Sequence, residues 1–238
     1  MNKVDAISNG TKGARPADDK FSASDRVAEA ILQDIRSGRL VPGQHLLEPE
    51  LTSRLKISRG SLREALKHLS AAGIVTLSRF RGAYISTLER KSVLDLLDTL
   101  EPLARLAARL AAEKCSNEKD RKRIVAAAER LGSVHASGNR GDYLNERRRF
   151  YDLMIELGGN YELARTMPLS RTDLFRAQVE TRQTEEQRKR HADGYGKIAR
   201  AIATGDITGA DKAMAAHFAG TRKTMRDLPP EAFPTAPG

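Results

Sequence analysis

The chain has 238 residues, a formal net charge of +10 and 39% hydrophobic residues, so it suits one large domain or two modest ones, with nucleic acid or another polyanion as the leading class of partner. One cysteine, Cys115, excludes an internal disulfide and any cysteine-cluster zinc site, and fits a reducing cytoplasm. No apolar run approaches the roughly 18 residues of a membrane span.

The first segment, "MNKVDAISNGTKGARPADDK", lacks the apolar core of a signal peptide, which predicts a cytosolic chain with a disordered arm over residues 1–22. Ser24 or Asp25 then suits the N-cap of a helix near Arg26–Ser37, with Val27, Ala30, Ile31 and Ile35 on one face. Gly38 sits where a C-terminal glycine belongs, and Pro42-Gly43 forces a turn. A short strand and a second helix, Glu48–Leu55, follow. Ser58 can cap a third helix whose apolar stripe is Leu62, Ala65, Leu66 and Leu69, with Arg59, Gly60, Arg63 and Lys67 away from it. Gly73 ends that helix. Two β-prone runs, Ile74–Leu77 and Ala83–Ser86, flank a basic tip with Arg79, Arg81 and Gly82. Helix, helix, turn, helix, hairpin is the order of a winged helix-turn-helix.

After a linker at 88–92 the pattern is wholly helical. Apolar spacing of three and four runs through "VLDLLDTLEPLARLAARLAAEKC", then Glu118–His135, Asp142–Leu157, Tyr161–Thr181, Glu185–Thr204 and Thr208–Met225. The expected architecture is mainly α: a DNA-binding unit at 23–87, a bundle of six or seven helices at 93–226 and a disordered tail at 227–238.

Charge is concentrated in the first unit. From Arg54 to Arg81 seven Lys/Arg stand against one acid, Glu64, whereas residues 91–238 interleave 26 basic with 21 acidic residues. Arginines early in the third helix oppose its macrodipole, a cost that phosphates would offset. Arg59 and Arg63, one turn apart, suit guanine edges in a major groove. Gly60 permits close backbone approach, Ser58 and Ser61 can bond phosphates, and Arg54, Lys56 and Lys67 complete the cationic face.

The segment "GRLVPGQHLLEPELTSRLKISRGSLREALKHLSAAGIV", with "RGAYIS" after it, resembles the GntR family of bacterial transcription regulators. The later "DLLDTLEPLARLAARLAAE", "LGGN" and "IARAIATGDITGADKAMAAHF" resemble its FadR-type branch, which has an all-helical FCD effector domain. The resemblance implies a cytoplasmic, nucleoid-associated homodimer that reads an inverted repeat and acts as a repressor released by a small metabolite. It also places Arg81 and Gly82 of the wing toward the minor groove. Pro49 departs from relatives that carry a DNA-contacting arginine there, which implies weaker contacts from the second helix.

Many members of that branch hold a divalent metal through one aspartate and three histidines. At the matching positions this sequence has Arg147, Tyr151, Tyr195 and His217. An arginine does not ligate a metal at neutral pH, so no metal is expected and the cluster is expected to bind an anionic metabolite directly. Two alternatives stay open: the cluster packs and satisfies itself, with Arg147 paired to a buried acid, or a shifted metal site draws on His191, Asp142 and Asp152. The chain has no glycine-rich phosphate loop, nucleophile elbow or HExxH motif, which argues against an enzyme. An architectural DNA-binding protein without an effector is the rival function.

Overall fold

The structure is a computed structural model that describes residues 22–234; residues 1–21 of the arm expected over 1–22, and the last residues, 235–238, lie outside them. The first helix, α1 (Ala23–Ser37), begins about three residues earlier than the sequence suggests. Ser22 is the cap, and Asp25 closes a reciprocal capping box with it: the Asp25 amide donates to Ser22 Oγ at 3.1 Å and the Ser22 amide to Asp25 Oδ2 at 3.0 Å. Gly38 ends the helix at φ 78°. Strand β1 (His45–Leu46), α2 (Glu48–Leu55), α3 (Arg59–Ala71), β2 (Val75–Ser78) and β3 (Gly82–Ile85) complete the first unit. Its sheet is antiparallel in the order β1-β3-β2, with Leu46 opposite Ala83 and Ser78 opposite Gly82. The α3 stripe of Leu62, Ala65, Leu66 and Leu69 is buried as its spacing requires.

The second unit comprises α4 (Arg90–Lys114), α5 (Glu118–Ala136), α6 (Arg140–Gly158), α7 (Glu162–Thr166), α8 (Leu169–Val179), α9 (Glu185–Ala203) and α10 (Ile207–Asp227). Helix α4 packs against α10 and α6, α5 against α6 and α9, and α9 against α10. Alanines 104, 107, 108 and 111 on α4 are fully buried and let neighbouring helices approach closely. No helix among the described residues is long and apolar enough to cross a membrane.

Two expectations need correction. The helix expected over Tyr161–Thr181 is two helices, because Pro168 has no N–H and pushes Met167 to an extended ψ of 122°. The tail expected to be disordered from 227 is packed through Phe233: Leu228, Ala232 and Phe233 are buried, and the Arg90 guanidinium lies 4.9 Å from the Phe233 ring centre. The Gln178 amide donates to both Leu88 O at 2.8 Å and Ala232 O at 3.0 Å, tying linker and tail to α8.

The two units meet through α1, which packs on α6 and α8 as well as α3. Gly141 permits this approach, since a Cβ there would lie 3.0 Å from Ser37 Cα.

Candidate DNA face and bundle cavity

The candidate DNA face begins at the N-terminus of α3. Ser58 Oγ accepts from the Ser61 amide at 3.1 Å, and the two hydroxyls lie 3.0 Å apart. The first turn holds no acid, and Arg59 and Gly60 are exposed. Arg63 Nε stands 3.5 Å from Glu48 Oε2 with its side chain 66% exposed, free to leave for a stronger partner. Lys67 pairs with Glu64 at 2.8 Å. Lys56 ends α2 in the left-handed region at φ 51°. Arg54 is more constrained: it lies 2.6 Å from Asp34, a buried acid that Arg39 also reaches at 2.7 Å. In the wing, Arg81 is exposed and Gly82 is required by its φ of 84° and by His45, whose Nε2 would lie 2.9 Å from a Cβ.

The four residues expected to bind effector do come together. The Arg147 guanidinium lies 4.9 Å from the Tyr151 ring centre, the Tyr151 and Tyr195 ring centres are 6.3 Å apart, and Tyr195 is 4.6 Å from His217. Their roles divide, however. Arg147 donates to Asp173 Oδ1 at 2.8 Å, and Arg148 holds the other carboxylate oxygen at 2.8 Å. Of the four, His217 alone lines the cavity of about 190 Å³ between α8, α9 and α10.

That cavity is faced by Arg176, Arg190, His191, Lys197, His217 and Thr221. Arg176 is buried, and its Nη2 donates to Thr221 Oγ1 at 3.2 Å. Arg190 Nη2 donates to Thr224 Oγ1 at 3.1 Å, one turn further along α10. Gly194 lets His217 sit against α9, since a Cβ there would come within 2.4 Å of Nδ1. His191 Nδ1 meets Tyr143 Oη at 2.6 Å, and the two imidazole centres are 4.4 Å apart.

Both imidazoles are held neutral. Burial, then the charges of Arg176 and Arg147, lower His217 to about 3; burial and Arg176 likewise push His191 well down. Burial and the nearby Arg147 also lower Arg176. Several buried polar atoms lack hydrogen-bond partners, among them Arg176 Nε and His191 Nε2. Buried polar groups of this kind normally find partners. The donor set does not fit a divalent cation: two imidazoles stand beside a guanidinium, and Asp142 and Asp152 are exposed elsewhere on α6. It fits an oxyanion.

Sequence reasoning missed Arg176, Arg190, Lys197 and Thr221. The available signal was Arg176 within "DLFRAQV", a cation inside an otherwise buried run.

Residues 23–85 match the description "Bacterial regulatory proteins, gntR family", and residues 95–220 match the FCD domain. The transcriptional regulator Mce2R of Mycobacterium tuberculosis is 31% identical over 81% of this chain and 87% of its own length. LutR of Bacillus subtilis, also a transcriptional regulator, is 27% identical over 80% of this chain and 95% of its own. Among solved structures, E. coli McbR/YncC has the same fold, with a TM-score of 0.76, 17% identity and coverage of 87% of this chain and 98% of that one.

Proposed function

The chain belongs to the gntR family of bacterial regulatory proteins, in the branch with an FCD domain, and is a transcriptional regulator; we propose that it is a homodimeric repressor released from an inverted-repeat operator by a small anionic metabolite. Arg59 and Arg63 read bases, Lys56, Ser58, Ser61 and Lys67 hold phosphates beside them, and the wing contributes Arg81. Arg54 acts from its pair with Asp34. The effector's oxyanion sits against Arg176, Thr221 and His217, with Arg190 and Lys197 toward the opening. Arg147, Tyr151 and Tyr195 form the wall behind it.

One observation carries the effector reading: Arg176 is a buried guanidinium on a cavity, with an unpartnered Nε and no ion pair among the described residues. An isolated buried charge is costly, and a bound anion removes that cost. Helix α8 supplies the route to DNA. Three residues before Arg176 it carries Asp173, whose Oδ2 lies 3.8 Å from Arg36 Nη1 on α1.

Footprinting the purified protein on DNA upstream of its own gene, followed by a screen of carboxylates, sugar acids and phosphate esters, tests this. A protected inverted repeat that an anion releases in the wild type, but not in Arg176→Met, is the expected result. Uniform, salt-steep coverage that no anion changes would overturn it.

A further inference from the structure

The wing tip carries a side chain that the basic face does not explain. Phe80 is 91% exposed, the most exposed of the large hydrophobic side chains among the described residues. It stands between Arg79 and Arg81, and the Arg79 guanidinium lies 5.9 Å from its ring centre. A lone exposed aromatic at a hairpin apex keeps its apolar surface in water, with none of the gain that burial gives. Neighbouring side chains of the fold do not bury it.

Its position relative to the base-reading helix follows from the sheet. Leu46 pairs with Ala83 and Ser78 with Gly82, so the chain leaving β1 runs level with the hairpin tip. The next residue but one, Glu48, reaches Arg63 on α3 at 3.5 Å. The tip and Arg63 therefore border the same edge of the molecule. With α3 in a major groove, a tip at that edge would lie against the phosphate backbone that separates it from the flanking minor groove.

We propose that Phe80 is an apolar wedge that seats in the minor groove beside the operator half-site, packing on deoxyribose and a base step while Arg79 and Arg81 hold the phosphates on either side. The chemistry matches what the groove offers: sugar faces and base edges are apolar enough to cover a phenyl ring, and apolar side chains flanked by cations are a recurrent means of opening a base step. Pyrimidine–purine steps unstack most readily, so the wedge favours sites that place such a step under the wing. The inference rests on the DNA-binding role of the winged unit and is independent of the effector.

The chain contains no Trp, so Phe80→Trp in the full-length protein places a single fluorophore at the tip. Binding is followed by anisotropy of a labelled duplex, from upstream of its own gene and of random sequence, at low salt, where phosphate contacts keep the complex formed even in weakened variants. The expected result is quenched indole emission and loss of acrylamide access in the bound state. In parallel, Phe80→Ala should weaken upstream-duplex binding about ten-fold or more, the scale of one lost aromatic–base contact, with an unchanged salt slope. Arg81→Ala should instead flatten that slope. A bound Phe80→Trp complex whose indole emission and acrylamide access match the free protein, or a Phe80→Ala variant with wild-type affinity, would overturn the proposal. Loss of all DNA binding in the wild type would instead refute the regulator reading beneath it.

Discussion

Arg147 and Asp173 face each other at 2.8 Å, and neither side chain is more than 2% exposed. The aspartate also accepts from Arg148 at 2.8 Å and lies 3.8 Å from Arg36, so one carboxylate serves three guanidinium groups from α1 and α6. It is the anion that neutralises the buried Arg147 cation.

Removing that carboxylate should therefore be severe. Asp173→Ala leaves Arg147 buried without a counter-charge, and we expect a loss of about 3–5 kcal/mol in urea unfolding. Replacing both partners, as Arg147→Met with Asp173→Leu, should recover much of it. A single Asp173→Ala variant of wild-type stability would show that the pair is not the counter-charge it resembles.

Arg176 should behave in the opposite way. No carboxylate lies within ion-pair distance of it among the described residues, so Arg176→Met should unfold at the same or a higher urea concentration than the wild type in the absence of ligand. The same variant should no longer gain stability from anions that stabilise the wild type. A large destabilisation without ligand would mean that the guanidinium is satisfied within the fold.

The imidazoles make acid stability directional. His217 titrates at about 3 when folded and near 6.5 when unfolded, so the unfolded chain binds the extra proton between those values. Its contribution is complete above pH 6.5 and falls as pH drops toward 3, by roughly 1.4 kcal/mol per pH unit at most. His191 shifts the same way. His217→Gln should flatten the slope of unfolding free energy between pH 4.5 and 6.5 by about one proton's worth; an unchanged slope would contradict the neutral buried imidazole.

On the DNA face, Arg63→Ala should cost about 1–3 kcal/mol on the operator and blur base preference, while Lys56→Ala weakens all sequences alike. Glu48 is the acid that Arg63 must leave. Glu48→Gln should thus raise affinity for random duplex a few-fold and narrow the gap to operator, as competitive binding at fixed salt would read. Unchanged discrimination in Arg63→Ala would remove it from the base-reading set.

Much of this was legible in the sequence where the signal is local. Helix α2 runs over Glu48–Leu55, as the sequence suggests, and Ser58 caps α3 because its hydroxyl needs only the amide three residues on. Pro168 was equally local and was overridden by the apolar periodicity on both sides. The packed end of the chain was not legible, because Phe233 is ordered by Arg90 on a helix that begins some 140 residues earlier.

The sequence by itself determined most of the helices, the wing and the cationic face of α3, since periodicity, caps and turn residues act over three or four positions. It also brought Arg147, Tyr151, Tyr195 and His217 under suspicion. Only the tertiary structure decided which arginine is neutralised and which is left facing a cavity. Arg147 and Arg176 are both arginines on buried helices; what separates them is whether a carboxylate lies within about 4 Å, the range over which a buried pair can offset its desolvation. That distance is set by the crossing of α6, α8, α9 and α10, and no spacing along the chain encodes it.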